Sequence, residues 1–149
     1  MKTVAVVGLG YFSQFHLAAW AKQAGVRLVG VVDTDAERAR QVGADFAVPG
    51  YARLEALLQD HAPDIVDLVV PPPAHAGLIR ALLKPGRVII CQKPFCTSLT
   101  EAESVVAEAE AADASLIIHE NFRSQPWYRE IKRFLESGQM GQVYGTRFA

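Results

Sequence analysis

The sequence has few of the features that direct a protein to a membrane, a nucleic acid or an oxidising compartment. Its two cysteines, Cys91 and Cys96, are too few and too close together for a disulfide framework. The formal net charge is -1, and the charges form no block of one sign. Apolar runs stay shorter than the roughly 18 residues that a membrane span requires. We therefore expect a cytoplasmic protein with no nucleic-acid or membrane partner.

Short runs rich in Val and Ile alternate with helical segments along the chain, of which 50% is hydrophobic. We predict strands at residues 3–7, 28–32, 46–48, 65–70, 88–91 and 116–119. Helices are predicted at residues 12–24, 35–42, 53–59, 75–83 and 101–112, with capping boxes at Thr34/Glu37 and Thr100/Glu103. Continuous apolar strands are typical of a parallel sheet covered on both faces. The order of elements predicts a doubly wound α/β fold, with a mostly parallel six-stranded sheet and a ligand at its carboxyl edge.

A glycine turn joins the first predicted strand to the first helix. Residues 4–16 read VAVVGLGYFSQFH, which places Gly8 and Gly10 between them. Such a turn suits a pyrophosphate, because Gly8 allows a tight bend, Gly10 lets the backbone approach the ligand, and the helix N-terminus offers free N–H groups. Ser13 replaces the third glycine of the G-x-G-x-x-G pattern, and a small Ser leaves the phosphate turn intact.

Asp33 ends the second predicted strand, where an acidic residue about 20 positions after the glycines binds the adenosine ribose hydroxyls. The alternative is a solvated turn acid. With the glycine turn, Asp33 predicts a Rossmann domain that prefers NAD, because a 2′-phosphate would face its charge. Arg38 is the contrary feature, since an arginine one turn into the next helix can reach a phosphate.

Lys93 follows the fifth predicted strand, at the edge where a doubly wound sheet holds its ligand. Pro94 comes next and fixes the direction of the chain, which would aim the lysine. The alternative is a solvent-exposed loop lysine. Cys91, two residues earlier, fits a small buried hydrophobe, and the histidines have no spacing that favours a metal.

Several of these segments together resemble the N-terminal half of the glucose-fructose oxidoreductase, inositol dehydrogenase and rhizopine-catabolism (Gfo/Idh/MocA) family. The segments are the glycine turn with His16, Asp33, Pro71-Pro72 with His75, Cys91-Gln92-Lys93-Pro94, Asn121-Phe122-Arg123 and the turn at residues 138–141. The resemblance implies an NAD(P)-dependent oxidoreductase that acts on a sugar, cyclitol or related polyol.

The resemblance also implies roles for single residues. Lys93 would contribute to catalysis and to placing the nicotinamide, and Asn121 and Arg123 would face the nicotinamide or the substrate. Gln92 stands where the family motif usually has Glu, so a negative charge that could hold the lysine ammonium is missing. The expected cofactor-binding set is Gly8, Gly10, Tyr11, Phe12, Ser13, Asp33, Thr34, Arg38, Pro71, Pro72, His75, Gln92, Lys93, Asn121 and Arg123.

The pattern changes after the sixth predicted strand. Residues 125–137 form a predicted amphipathic helix that stops at Gly138, and residues 142–149 a β-rich run. We expect residues 1–122 to be the NAD(P)-binding domain and residues 123–149 to begin a second α+β domain that continues elsewhere. The apolar face with Trp127, Ile131 and Phe134 should either fold back onto the sheet or mark an interface, and we expect a homo-oligomer.

Three functions fit these features. The first is the cofactor-binding half of a sugar or polyol dehydrogenase, which we expect to be inactive as a 149-residue chain. The second is a nucleotide-binding or regulatory module that performs no chemistry. The third, within the same family, is an NAD-dependent glycosidase.

Overall fold

The structure is a computed structural model, and it describes residues 1–147. The described chain consists of two compact units, of which the first is Met1–His119 and the second begins at Glu120. The first unit contains the strands β1 Lys2–Val7, β2 Val26–Val32, β3 Gly50–Tyr51, β4 Ile65–Leu68, β5 Val88–Gln92 and β6 Ser115–His119. Its helices are α1 Ser13–Lys22, α2 Ala36–Asp45, α3 Leu54–Asp60, α4 His75–Leu82 and α5 Leu99–Ala111. Among residues 1–147, no helix is both long and apolar enough to cross a bilayer.

The strands form one parallel sheet in the order β3-β2-β1-β4-β5-β6. This confirms the predicted doubly wound Rossmann fold. The order reverses between β1 and β4, and in such sheets the ligand binds beyond the carboxyl ends of the strands at this reversal. The ends of β1, β2, β4 and β5 therefore determine which side chains meet there.

The core consists of two apolar clusters. Ala5 and Val7 of β1 belong to the larger cluster, and Val6 between them belongs to the smaller one. Because successive side chains of a strand point to opposite faces, the two clusters lie on opposite faces of the sheet. Both faces of β1 are buried from Val4 to Val7, which explains why these four residues are all apolar.

The third strand and two helix starts differ from the prediction. β3 forms at Gly50–Tyr51, and Phe46, in the predicted strand, caps the C-terminus of α2. The N-cap of α2 is Asp35, whose carboxylate accepts from the Arg38 N–H, and that of α5 is Ser98, whose hydroxyl accepts from the Glu101 N–H. Thr34 and Thr100 are therefore not caps, because a neighbouring oxygen satisfies the first turn in each helix.

The second unit contains a short 3₁₀ segment, Asn121–Ser124, and α6, Pro126–Glu136. Pro126 occupies the first turn of α6, where a missing N–H costs no helical hydrogen bond. The predicted stop holds, since Gly138 follows the helix with a φ of 73°. The predicted β-rich run is wrong over residues 142–147, which form no strand, and residues 148–149 lie outside the described residues.

Candidate functional site

The glycine turn begins where β1 ends. Gly8 has a φ of +89°, and a Cβ built there would lie 2.6 Å from Val70 Cγ1. A side chain at position 8 is therefore excluded by both the backbone conformation and the neighbouring chain. Gly10 differs, because no atom lies within 4 Å of the position its Cβ would take. The turn thus presents bare backbone at Gly10 to the space above the sheet.

The N-terminus of α1 continues this surface. Phe12 is its N-cap residue and has no oxygen with which to cap, and the first turn contains no acidic residue. The Ser13 hydroxyl donates to the Gly10 carbonyl oxygen at 2.7 Å, and Ser13 is buried. Ser13 therefore closes the turn, and its own N–H and that of Phe15 donate to the carbonyl oxygens of Gly10 and Phe12 at 3.0 and 3.3 Å. The helix N-terminus still favours an anion through its dipole.

Asp33 connects the end of β2 to the glycine turn. Its Oδ2 accepts from the Leu9 backbone N–H at 2.8 Å, and its Oδ1 accepts from the Asp35 N–H at 2.9 Å. Arg38 Nη1 lies 3.5 Å from both oxygens. A carboxylate has about four acceptor positions, so Asp33 keeps capacity for a ribose hydroxyl while it holds the turn.

Two adjoining cavities lie along this edge of the sheet. The first, of about 650 Å³, is lined by Asp33, Thr34 and Arg38 together with the glycine turn. The second, of about 340 Å³, is lined by Tyr11, Phe12, Gln92 and Lys93. Both cavities share Gly10, Val69, Val70 and Pro71. This continuous, mostly apolar cleft has the size of a small-molecule site and fits an extended ligand that crosses the turn.

The proline loop after β4 contributes through Pro71, which lines both cavities, while Pro72 starts a 3₁₀ turn. His75 was expected beside the cofactor, but the structure places it inside the protein. Its ring is fully buried, with Nδ1 2.8 Å from the Phe95 carbonyl oxygen and Nε2 2.8 Å from the Val70 carbonyl oxygen. A buried ring offers no surface to a ligand, so His75 holds the loops after β4 and β5 together.

Lys93 is exposed at the second cavity, directly after β5, and its peptide bond to Pro94 is cis. Gln92 contacts the main chain of the lysine, because its Oε1 accepts from the Lys93 backbone N–H at 2.8 Å. The Gln92 side chain therefore holds the Lys93 backbone, a contact that the comparison with the family's Glu, which concerned only the ammonium group, did not predict.

Cys91 lies on the buried face of β5. The residue is fully buried, and desolvation raises the pKa of its thiol to about 12. The thiol stays protonated near neutral pH and packs as a small hydrophobe, as expected.

Sequence analysis missed Asp67, in the middle of β4. The residue is 1% exposed, and β4 pairs with a strand on each side, β1 and β5. The sequence does contain a signal for this residue, namely an acidic residue inside the apolar run of residues 65–70. Burial of a carboxylate lowers the stability of the fold unless its oxygens accept hydrogen bonds, so such a residue needs specific partners. His16, which the sequence placed only in the segment of the glycine turn, is also buried, and its Nδ1 lies 2.8 Å from Asp67 Oδ2.

Asn121 and Arg123 lie in the second unit, on its 3₁₀ segment. Each unit of the chain is compact by itself. A role for these two residues at the cofactor stays a prediction.

Comparison with known sequences also indicates an NAD-binding domain. Residues 2–120 match the Gfo/Idh/MocA profile, an oxidoreductase family with an NAD-binding Rossmann fold. The chain belongs to the Gfo/Idh/MocA family. Two members with similar sequences are D-apiose dehydrogenase of Paraburkholderia graminis, 37% identical over 144 residues, and inositol 2-dehydrogenase of Mycolicibacterium smegmatis, 32% identical over 144 residues. These matches cover 96% and 93% of the chain but 38% and 41% of the relatives.

A solved structure with a similar sequence shows the same fold. The oxidoreductase from Agrobacterium radiobacter, determined in complex with NAD+, L-tartaric acid and magnesium, superposes with a TM-score of 0.86 at 34% identity. The superposition covers 95% of the chain and 42% of that protein. The chain is thus an NAD-binding Gfo/Idh/MocA domain that spans about two fifths of the length of these relatives.

Proposed function

We propose that this chain is the cofactor-binding part of a dehydrogenase that transfers a hydride between NAD and a sugar, cyclitol or related polyol. The observation that supports this most directly is the continuous cleft, with Asp33 lining one cavity and Lys93 the other. The similarity to apiose and inositol dehydrogenases supports the substrate class.

Each part of the cleft fits one part of the dinucleotide. Asp33 accepts hydrogen bonds from the ribose hydroxyls of the adenosine half, with Thr34 and Arg38 beside it. The open backbone at Gly10 and the N-terminus of α1 receive the pyrophosphate. Tyr11, Phe12, Pro71 and Lys93 then line the space for the nicotinamide half.

Lys93 is the candidate catalytic residue. When bound, the nicotinamide supplies the hydride acceptor for oxidation of a carbinol carbon. Lys93 Nζ donates a hydrogen bond to the reacting oxygen or assists the transfer of its proton, for which it must lie within hydrogen-bond reach. Gln92 holds the backbone from which this side chain extends, and the ring of Pro94 restricts the chain that follows.

Hydride transfer also requires a substrate held close to the nicotinamide in a water-poor site. We propose that residues 123–149 lead into a substrate domain and that the 149-residue chain alone binds NAD without turnover. The relatives are more than twice as long as the matched region, which supports this division.

Titration of the chain with NADH, followed by cofactor fluorescence, tests the proposal. We expect saturable binding, and no NADH formation with NAD and a panel of polyols. Absence of binding would overturn the assignment. Turnover of a polyol that Lys93→Ala abolishes would show that the chain holds the complete catalytic machinery. NAD binding by a longer natural protein that never turns over a polyol would favour the non-catalytic module.

Self-association through the apolar face of α6 and a cytoplasmic location also stay proposals. Two free cysteines and the balanced charge support the location. Light scattering at high concentration tests the association, and a clean monomer would count against it.

A further inference from the structure

A buried polar cluster adjoins Gln92, the residue that precedes Lys93. Asp67 Oδ2 is 2.8 Å from His16 Nδ1 and accepts from Trp20 Nε1 at 2.7 Å. The other carboxylate oxygen, Oδ1, has no hydrogen-bond partner among residues 1–147. Such a carboxylate lowers stability relative to an apolar side chain of the same size, so its presence needs a reason other than packing.

The cluster reaches the cleft through Gln92. Gln92 Nε2 lies 3.1 Å from His16 Nε2 and 3.4 Å from His119 Nδ1, and Gln92 Oε1 accepts from the Lys93 backbone N–H. The contacts therefore run from Asp67 in β4, through His16 in α1, to the end of β5, and they connect the helix of the glycine turn to the lysine.

The donor and acceptor roles along this path have one consistent assignment. A backbone N–H can only donate, so the atom of Gln92 that faces Lys93 is the amide oxygen. The amide nitrogen then faces His16, and because it can only donate, His16 Nε2 must be the acceptor. The proton of a neutral His16 ring consequently lies on Nδ1, where it is donated to Asp67.

We propose that Asp67, His16 and Gln92 are positioning residues for Lys93, and that they act by fixing His16 as the neutral Nδ1–H tautomer. Asp67 orients the ring, the ring orients the Gln92 amide, and the amide oxygen holds the Lys93 main chain. The catalytic role of this arrangement rests on the proposed function of Lys93. The tautomer of His16 does not depend on that function.

The identity of residue 92 follows from this assignment. A glutamate there would present only acceptors to His16 Nε2, and the contact would be favourable only if that nitrogen also held a proton. The ring would then be an imidazolium between two carboxylates. Glutamine instead supplies the donor that a neutral ring needs, so Gln92 determines the charge of the cluster.

Long-range ¹H–¹⁵N correlation spectra of the histidine rings test the assignment at pH 7. The four histidines are assigned by single His→Gln variants. In the wild-type chain we expect His16 to show a protonated Nδ1 and an unprotonated Nε2. In Gln92→Glu both nitrogens of His16 should be protonated. His75 is the internal control, because its ring contacts the Val70 and Phe95 carbonyls and should not change.

Amide hydrogen exchange at Lys93 tests the second half of the path. Gln92→Glu keeps an acceptor for the Lys93 N–H, whereas Gln92→Met, of similar length, removes it. We expect Lys93 exchange in the Met variant to be faster than in the Glu variant by tenfold or so. Thermal unfolding of both variants shows whether a difference is local or global.

The outcomes separate this proposal from the proposed function. A protonated Nε2 with a bare Nδ1 in wild-type His16 would overturn the proposal, whatever the chain binds. Equal Lys93 exchange in the Glu and Met variants would also overturn it. Failure to bind NADH, with the expected tautomer present, would overturn the proposed function and leave the positioning of Lys93 intact.

Discussion

The Asp33 carboxylate accepts a hydrogen bond of 2.8 Å from the backbone N–H of Leu9, so the end of β2 holds the glycine turn of β1 in place. The residue expected to bind the ribose therefore also stabilises the loop that receives the pyrophosphate. Its replacement has consequences for folding as well as for binding.

Asp33→Ala should lower the free energy of unfolding by about 1–3 kcal/mol, because the buried Leu9 N–H loses its acceptor. Urea unfolding without cofactor measures this effect. Thr34→Ala, at the exposed next position, is the matched control and should change the stability by less than about 0.5 kcal/mol. Equal stability of the two variants would show that Asp33 does not hold the turn.

The chain should bind NADH more tightly than NADPH, because a 2′-phosphate would approach the Asp33 carboxylate. Asp33→Asn removes the charge with little change in shape. We expect it to lower the ratio of the NADPH dissociation constant to the NADH dissociation constant by about tenfold. Arg38→Gln should raise the same ratio, because it removes the guanidinium beside Asp33 that could pair with a 2′-phosphate. Tighter binding of NADPH by the wild-type chain would contradict the preference.

Gly10→Ala and Gly8→Ala should separate binding from folding. The space around position 10 is open, so Gly10→Ala should leave urea unfolding unchanged and weaken NADH binding by about tenfold or more. Gly8→Ala places a Cβ against Val70 in a left-handed conformation and should cost about 2 kcal/mol or more of stability. Normal NADH affinity in a folded Gly10→Ala protein would mean that the pyrophosphate binds elsewhere.

The two thiols should react at different rates in the folded chain at pH 8. Burial raises the pKa of Cys91 to about 12, and burial also raises the pKa of Cys96, which is half-buried. Labelling with iodoacetamide, followed by mass spectrometry, should modify Cys96 slowly and Cys91 only after denaturation. Cys96→Ser is the control and should resist labelling until it is unfolded. Rapid modification of Cys91 in the native chain would contradict its burial.

Acid should remove a contribution from the ion pair between α4 and α5. Arg80 hydrogen-bonds to Glu108 and, with Ser104, lowers the pKa of that carboxyl from 4.5 to about 2. Since the folded-state pKa is depressed, the stabilisation is complete above pH 4.5 and is lost as the pH falls through about 2.

Glu108→Gln should therefore be less stable than the wild-type chain at pH 7, and the difference should shrink between pH 4.5 and 2. Thermal unfolding across this range measures it. Glu110→Gln, on the exposed side of the same helix, is the control. A difference that does not change with pH would show that the ion pair with Arg80 contributes nothing.

Local sequence predicts elements best where it agrees with burial. Residues 4–7 of β1, 28–32 of β2 and 88–91 of β5 are apolar on both faces, and β4 departs from this pattern only at Asp67. β3 was misplaced because Phe46 and Val48 have strand propensity, yet both pack against the smaller core cluster beside α2. Tertiary packing outweighs local preference there.

The candidate site divides in a similar way. The position of Gly8, Asp33 and Lys93 at one edge follows from the order of elements, because parallel strands end together. The inward side chains that support these residues depend on contacts between distant segments, such as His16 with Asp67 and Gln92. Spacing along one sequence does not encode these partners, and the burial of His75 was missed for the same reason.

The glycine at position 50 shows that intolerance to substitution is a poor guide to function in this fold. A Cβ at Gly50 would meet the backbone of α2, including Arg40 N at 2.9 Å, because helix and strand approach each other without a side chain between them. Every other residue would force the two elements apart. A saturation-mutagenesis screen should thus score position 50 as severely as Gly8, although Gly50 does not line the cleft. Only a screen that measures cofactor binding and protein abundance separately would distinguish the two glycines from Gly10.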